Sequence, residues 1–482
     1  MKFTNYISVL TFLYVFCACS HRNAVTEPST STPDTSSSKI VYWLTTPDQS
    51  TLLSRQHAAG FSTDANNNPT ITIDTTQTFQ TMDGFGYTLT SGSAMLINKM
   101  SAGAKANLLK ELFGDDENGI HISYLRISIG ASDLSDSVYT YDDMPAGQTD
   151  PNLDHFSLEP DKTDLIPLLK EIVAINPGIK IIATPWTAPL WMKDNGASVG
   201  GSLKTEHYGT YAQYFVKYIQ AMKSEGINIT AITPQNEPLH DGNDPSLKME
   251  ATQEADFIKN HLGPAFQSAS IATKIIVYDH NCDKPDYPLT ILNDAAAKPF
   301  VDGSAFHLYA GDISALSQVH NAHPDKNVYF TEQYTANTSQ FSGDLQWHIK
   351  NLVIGAPRNW SRTVFEWNLA NDVNFGPHTP GGCTTCKGAL TLNGDAVTRN
   401  VAYYIIAHIS KFVPPGSVRV GSNVAGSLQN VAFKTPSGEK ILIVLNDSPD
   451  ASSFNISFNG KVAAASLPAA AVGTFVISHQ NQ

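Results

Sequence analysis

Basic charge is scarce in this 482-residue chain: 31 Lys and Arg stand against 44 Asp and Glu, a formal net charge of -13 at pH 7. Nucleic-acid binding rests on clustered cations that neutralise phosphates, so that partner class is excluded and a neutral or cationic substrate is easier to accommodate. Long hydrophobic runs are missing as well. The apolar stretch near the start, residues 6–16, is too short to cross a bilayer as a helix. Cysteine is rare, with five in all, two of them near the start. Zinc takes about four ligands, and no second pair accompanies Cys383-Thr384-Thr385-Cys386, so a small loop-closing disulfide between Cys383 and Cys386 is the reading. There is no phosphate-binding glycine loop, no Ser-His-Asp order and no HExxH pattern. No cofactor and no metal are therefore expected.

What is present begins with an export signal. Lys2, the apolar stretch and Cys17-Ala18-Cys19-Ser20 read as a signal peptide over residues 1–19. Ala18 before Cys19 resembles a bacterial lipoprotein processing site, at which Cys19 becomes the lipidated first residue; ordinary cleavage and free secretion are the alternative. Residues 20–38, with Ser, Thr, Pro and Asp concentrated in 29–38, read as a flexible tether. The expectation is an exported protein, an outer-membrane lipoprotein at the cell surface or in the periplasm. Its contact with the membrane would be through the lipid alone.

Over residues 79–413 apolar, β-rich runs alternate with amphipathic stretches. Strands are expected at 80–90, 122–129, 180–185, 229–234, 274–279, 301–309, 327–331 and 362–368. Helices are expected at 94–113, 163–175, 252–266, 288–298, 341–354 and 399–412. Another is expected where Tyr211, Tyr214, Phe215, Tyr218, Ile219 and Met222 recur on one face. This order predicts a (β/α)8 TIM barrel, with an open doubly wound sheet as the other arrangement of such units. Short alternating runs in 39–78 and 414–482 predict an antiparallel β-sandwich to which both chain ends contribute.

Two glutamates then gain meaning. Glu237, in Gln235-Asn236-Glu237-Pro238, and Glu332, in Phe330-Thr331-Glu332-Gln333, each follow an apolar run, the fourth and the seventh. Barrel active sites form at the C-terminal ends of strands, so both would face one mouth, within a rim that includes Asp83, Arg126, Asp133, Trp186, Asn236, Asp279, His280, His307, Tyr309, Glu366 and Trp367. Such polar and aromatic groups suit a sugar, whose hydroxyls need donors and acceptors and whose ring face stacks on indole. Glycosidic cleavage needs a proton for the leaving oxygen and a carboxylate for the oxocarbenium-like transition state. A lone glutamate at a strand end is more often a structural partner. The pairing across one barrel is what points to chemistry.

Several motifs, in order, carry a resemblance. Phe79-Gln80-Thr81-Met82-Asp83-Gly84-Phe85-Gly86, Tyr124-Leu125-Arg126, Thr184-Pro185-Trp186-Thr187-Ala188-Pro189-Leu190-Trp191, Asn236-Glu237-Pro238 and Glu366-Trp367-Asn368-Leu369-Ala370 look like glycoside hydrolase family 30, which includes glucosylceramidases and β-1,6-glucanases. The resemblance implies a retaining mechanism with Glu237 as acid/base and Glu332 as nucleophile, Asn236 on the sugar 2-hydroxyl, and Arg126, Asp133, Trp186, His307, Tyr309 and Trp367 around the innermost sugar. Thr90-Ser91 departs from the Thr-Asp of glucosylceramidase-like members, and the segment 374–383 looks more like the β-1,6-glucanase branch. The implied activity is endo-hydrolysis of a β-1,6-glucan polysaccharide or oligosaccharide. The alternatives are an exo-acting β-glucosidase or glucosylceramidase and, outside enzymes, a surface glycan-binding protein, which would have no use for both glutamates.

Overall fold

The computed structural model describes residues 40–63 and 66–478. The expected signal peptide, the Cys19 lipidation site and the tether lie outside the described residues. Eight parallel strands form a ring: β1 (Gly84–Thr88), β2 (Tyr124–Ser128), β3 (Lys180–Thr184), β4 (Ala231–Ile232), β5 (Lys274–Asn281), β6 (Val301–His307), β7 (Asn327–Glu332) and β8 (Thr363–Asn368). β8 pairs with β1, and the seam between β7 and β8 is tied by the Arg362 N–H donating to Val328 O (2.9 Å) and the Trp367 N–H to Gln333 O (2.7 Å). The barrel expectation holds at all eight positions.

The strand interiors explain why the ring closes on a filled core and not on a pore. Tyr124, Ile182, Ala231, Ile276, Ala305, Tyr329 and Phe365, one from each of seven strands, form a buried apolar layer. Side chains on a strand alternate faces, so the residue two further along each strand returns to the same interior one layer higher. Outside β5, where the register breaks, those residues are Arg126, Thr184, Thr233, His307, Thr331 and Trp367. Five of these six are polar or charged and the sixth, Trp367, lines the cavity, so this step separates the barrel core from the site.

The elements differ from expectation in several places. The helix expected over 94–113 is two, Ser91–Asn98 and Ala102–Phe113, with Thr90 Oγ1 capping the first by accepting the Ser93 N–H. Residues 80 and 81 belong to a long strand, Thr70–Thr81, and not to β1; the chain turns between them at Gly84, whose φ of +145° suits glycine. A helix over Ala315–Ala322 between β6 and β7 carries few buried apolar side chains, Ala315, Leu316 and Val319, too short a stripe to read from sequence. The segment after β8 is not plain loop. Cys386–Lys387 pairs with Thr335–Ala336 beyond β7, and Ala370–Asp372, Leu390–Asn393 and Ala396–Arg399 make a small sheet.

Both chain ends build the sandwich. Val41–Thr45 pairs with Val472–Ile477, which continues through Lys440–Asn446 and Leu428–Lys434 to Val418–Ser422. Thr70–Thr81 pairs with Val418–Ser422 at one part and with Ser452–Phe458 at another, and Lys461–Leu467, an Ala-rich strand absent from the sequence reading, completes that edge. Ile71, Leu442, Val444, Phe454 and Phe475 fill the space between.

Candidate active site

The site is organised around Asp279, which sequence reading placed on the rim without a role. Positive φ at Tyr278 (79°) and Asp279 (54°), with a register shift against β6, breaks the alternation of β5 and turns Asp279 inward three residues after Ile276. Its carboxylate, wholly buried, accepts from Arg126 Nη2 (2.9 Å), Thr184 Oγ1 (3.1 Å), Thr233 Oγ1 (2.9 Å) and Thr331 Oγ1 (2.6 Å), and lies 3.1 Å from His307 Nε2. Burial alone would raise this carboxyl, but Arg126 and the hydrogen bonds hold it well below its ordinary range. A buried carboxylate with this many donors stays ionised and anchors the cations beside it.

Arg126 is one of those cations. Fully buried, it donates from Nη1 to Glu332 Oε2 (2.5 Å) and from Nη2 to Asn236 Oδ1 (2.6 Å) as well as to Asp279. Its guanidinium carbon lies 5.0 Å from the Trp186 ring centre and 5.6 Å from that of Trp367. The planar fork reaches three acceptors at once, which a lysine ammonium on the same stem could not.

His307 is the other. Its Nε2 faces Asp279, and its Nδ1 lies 3.0 Å from Glu237 Oε1 and 3.7 Å from Glu332 Oε1. Burial would lower this imidazole, yet Glu332 and the hydrogen bonds to Asp279 and Glu237 push it up to about 9, so it is protonated near neutrality.

Glu332 ends β7. A register shift between Phe330 and Glu332 lets both Thr331 and Glu332 serve the interior, and Tyr309 Oη donates to Glu332 Oε1 at 2.9 Å. Glu237 lies beyond the short strand β4, on a turn at φ +44°, a conformation costly for a residue with a Cβ and concentrated at functional sites. Its N–H donates to Asp279 O (3.0 Å) and its carbonyl accepts the His240 N–H (2.8 Å), which fix that turn. Both carboxyls lie against the same His307 nitrogen, Glu237 Oε1 at 3.0 Å and Glu332 Oε1 at 3.7 Å. Burial raises both carboxyls. The His307 hydrogen bond draws Glu237 down, whereas Glu237 and Asp279 keep Glu332 up despite His307 and Arg126.

A cavity of about 310 Å³ opens over these groups. Asp133, Trp186, Asn236, Tyr309 and Trp367 line it together with Glu237 and Glu332. Trp186 and Trp367 stand 5.3 Å apart between ring centres, and Leu134 and the Cys383–Cys386 disulfide pack against them. The disulfide loop also grips Asp133: the Cys383 N–H donates to its Oδ2 (3.3 Å), and a Cβ on Gly382 would fall 2.2 Å from its carbonyl oxygen. Asp133 Oδ1 has no partner among the described residues, and burial, then the charges of Glu332 and Glu237, raise this carboxyl to about 7. Other rim candidates point elsewhere. Asp83 pairs with Arg362 and Lys180, and Glu366 with His348; Trp191, not a member of that rim, donates to Asp142. Ser91 donates to Ser135 Oγ and borders a separate cleft.

A carboxylate oxygen of Glu237, one of Glu332 and a nitrogen of His307 all lie within 4.8 Å of one another. By composition this trio could hold a metal ion. Both His307 nitrogens already face carboxylates, however, and Glu332 is taken by Arg126 and Tyr309, so the donor set is committed to protein partners. The same closeness has another reading: retaining glycosidases bring two carboxyls to about 5–5.5 Å, and inverting ones hold them roughly 6.5–9.5 Å apart.

Residues 82–413 match the family model described as the glycosyl hydrolase family 30 TIM-barrel domain. The chain belongs to glycosyl hydrolase family 30. The model of that family's β-sandwich domain matches residues 416–475, and the protein is a glycoside hydrolase. Among curated relatives of this family 30 chain, the endo-1,6-beta-D-glucanase neg1 of Aspergillus fumigatus is 37% identical over 405 residues, covering 78% of this chain and 81% of that protein. The lysosomal acid glucosylceramidase of Mus musculus is 30% identical over 409 residues, covering 79% and 78%. The solved structure of the endo-beta1,6-glucanase BT3312 superposes with a TM-score of 0.85 at 36% identity, covering 91% of this chain and 99% of that one.

Proposed function

We propose that this family 30 hydrolase cleaves β-1,6-glucan internally, by double displacement with retention. The observation that carries the mechanism is the approach of Glu237 and Glu332 carboxylate oxygens to within 4.8 Å. The linkage rests on the similarity to the two endo-β-1,6-glucanases. Glu332 attacks the anomeric carbon and Glu237 protonates the departing oxygen, then activates water against the glycosyl-enzyme. The Asn236 Oδ1 is occupied by Arg126, which turns its amide N–H toward the cavity and a sugar 2-hydroxyl.

The proton has a defined source. For Glu332 to attack it must be a carboxylate, and in that reactive state it faces the cations Arg126 and His307 beside the carboxylates Asp279 and Glu237. His307 passes its proton across the 3.0 Å contact to Glu237 and on to the leaving oxygen, while Glu332 loses its charge on becoming an ester. One cation and one anion disappear together, so the buried net charge is unchanged. A constant charge spares the site the desolvation cost that an unbalanced step would carry.

The test is a digest of β-1,6-, β-1,3- and β-1,4-linked glucans and glucosylceramide, with products sized early. Mixed oligosaccharides from β-1,6-glucan are the expected result. Glucose alone would assign exo action, and no cleavage of β-1,6-glucan would overturn the proposal.

A further inference from the structure

We propose that His280 binds the leaving-group sugar, in the subsite on the Glu237 side of the scissile bond. The inference rests on the mechanism proposed above. When Glu332 attacks, the departing oxygen leaves from the opposite side of the anomeric carbon, where Glu237 delivers its proton. The sugar attached to that oxygen must therefore lie beside Glu237. Trp186, just beyond β3, and Trp367, in β8, line another part of the cavity, together with Asp133 and the Cys383–Cys386 disulfide. Glu237 and His280 come from the ends of β4 and β5, with His240, Asn243 and Asn281 next to them on the same lining.

His280 has the features of a binding group without its ligand. It is buried, lines the cavity and stands edge-on to His307 with ring centres 6.4 Å apart. Its Nδ1 is shut from solvent with no hydrogen-bond partner, and neither ring nitrogen is bonded to any of the described residues. Burial also holds the imidazole down at about 4, so it is uncharged near neutrality. A neutral imidazole donates at one nitrogen and accepts at the other, so Nε2, the nitrogen not shut from solvent, can either donate to or accept from a sugar hydroxyl in the cavity. The neighbours on this wall are partly committed to one another or to backbone, with Asn281 Oδ1 accepting the Tyr309 N–H at 3.0 Å and His240 Nε2 lying 3.3 Å from Asn243 Oδ1, whereas His280 bonds to none of the described residues.

The test compares two substrates of the whole protein. A β-1,6-linked glucose oligosaccharide fills the leaving-group subsite with a sugar, whereas an aryl β-glycoside with a nitrophenolate leaving group places no sugar there. His280→Ala is expected to lower kcat/KM on the oligosaccharide by about 10- to 100-fold, a loss exceeding that on the aryl glycoside about tenfold or more. His280→Gln, which keeps a donor and an acceptor, should recover part of the loss and serves as the reporting variant if the alanine protein does not fold. Equal losses on the two substrates would mean that His280 does not serve the leaving group and would overturn the inference, as would an unchanged kcat/KM on the oligosaccharide. A loss that grows across a series of aryl glycosides as the leaving-group pKa rises would show that His280 acts through Glu237's proton transfer and would overturn it as well. A wild-type protein inactive on β-1,6-linked substrates would instead count against the function proposed above.

Discussion

Glu332→Gln is expected to lower kcat on β-1,6-glucan by about 10⁴-fold or more, with the fold intact. The amide matches the carboxylate in size and can still meet Tyr309 or Arg126, but it has no anionic oxygen to form the glycosyl ester. Glu237→Gln should behave differently. It removes the proton donor, which matters for a sugar leaving group and little for nitrophenolate, so an aryl glycoside should still give a burst of nitrophenolate. Slow turnover then follows because water has lost its base. The pair of variants, read on both substrates, separates the roles. A Glu332→Gln protein with full activity would remove it as nucleophile, and identical behaviour of the two variants would remove the division of labour.

Arg126→Met should be the most damaging single change to stability at the site. Removing the guanidinium leaves Asp279 and Glu332 as buried carboxylates with His307 as their remaining cation, and breaking a buried pair in this way costs about 3–5 kcal/mol. Activity should fall as well, because Asn236 loses the bond that orients its amide and Glu332 loses the donor at 2.5 Å. Arg126→Lys keeps the charge, so it should recover part of the stability, but one ammonium cannot reach Glu332, Asn236 and Asp279 together and activity should stay low. Denaturant midpoints measured alongside kcat check both statements. An Arg126→Met protein as stable as the natural one would contradict the view that this cation neutralises the site.

Much of this architecture is legible in the chain because strand periodicity and site chemistry coincide. The runs ending at Arg126, Thr184, Thr233, His307 and Thr331 each change from apolar to polar at the layer where the barrel core gives way to the cavity, and the run of the eighth strand puts Trp367 there. Reading each strand two residues past its apolar position finds this layer without a structure. Asp279 escapes that rule because positive φ at two residues shifts its face, and nothing in Val277-Tyr278-Asp279-His280 announces a bulge. The central carboxylate was thus seen on the rim but not recognised as the group that holds Arg126 and His307. The helices over 252–266 and 341–354 were legible as long apolar patterns, but not the π-helical turns at Ile258–Leu262 and Ile349–Gly355 that interrupt them. Ser91, whose departure from the glucosylceramidase-like pattern pointed to the β-1,6-glucanase branch, faces Ser135 and not the catalytic cavity. The segment after β8 does reach the cavity, through the disulfide that packs on both tryptophans and holds Asp133.

Double displacement through Glu332 and Glu237 is the centre of the account, and the configuration of the first product tests it most directly. Proton NMR of a β-1,6-glucan digest, recorded before mutarotation, should show the β-anomer of the new reducing end first, with the α-anomer growing in later. An α-anomer appearing first would mean direct attack by water and would contradict a covalent intermediate on Glu332.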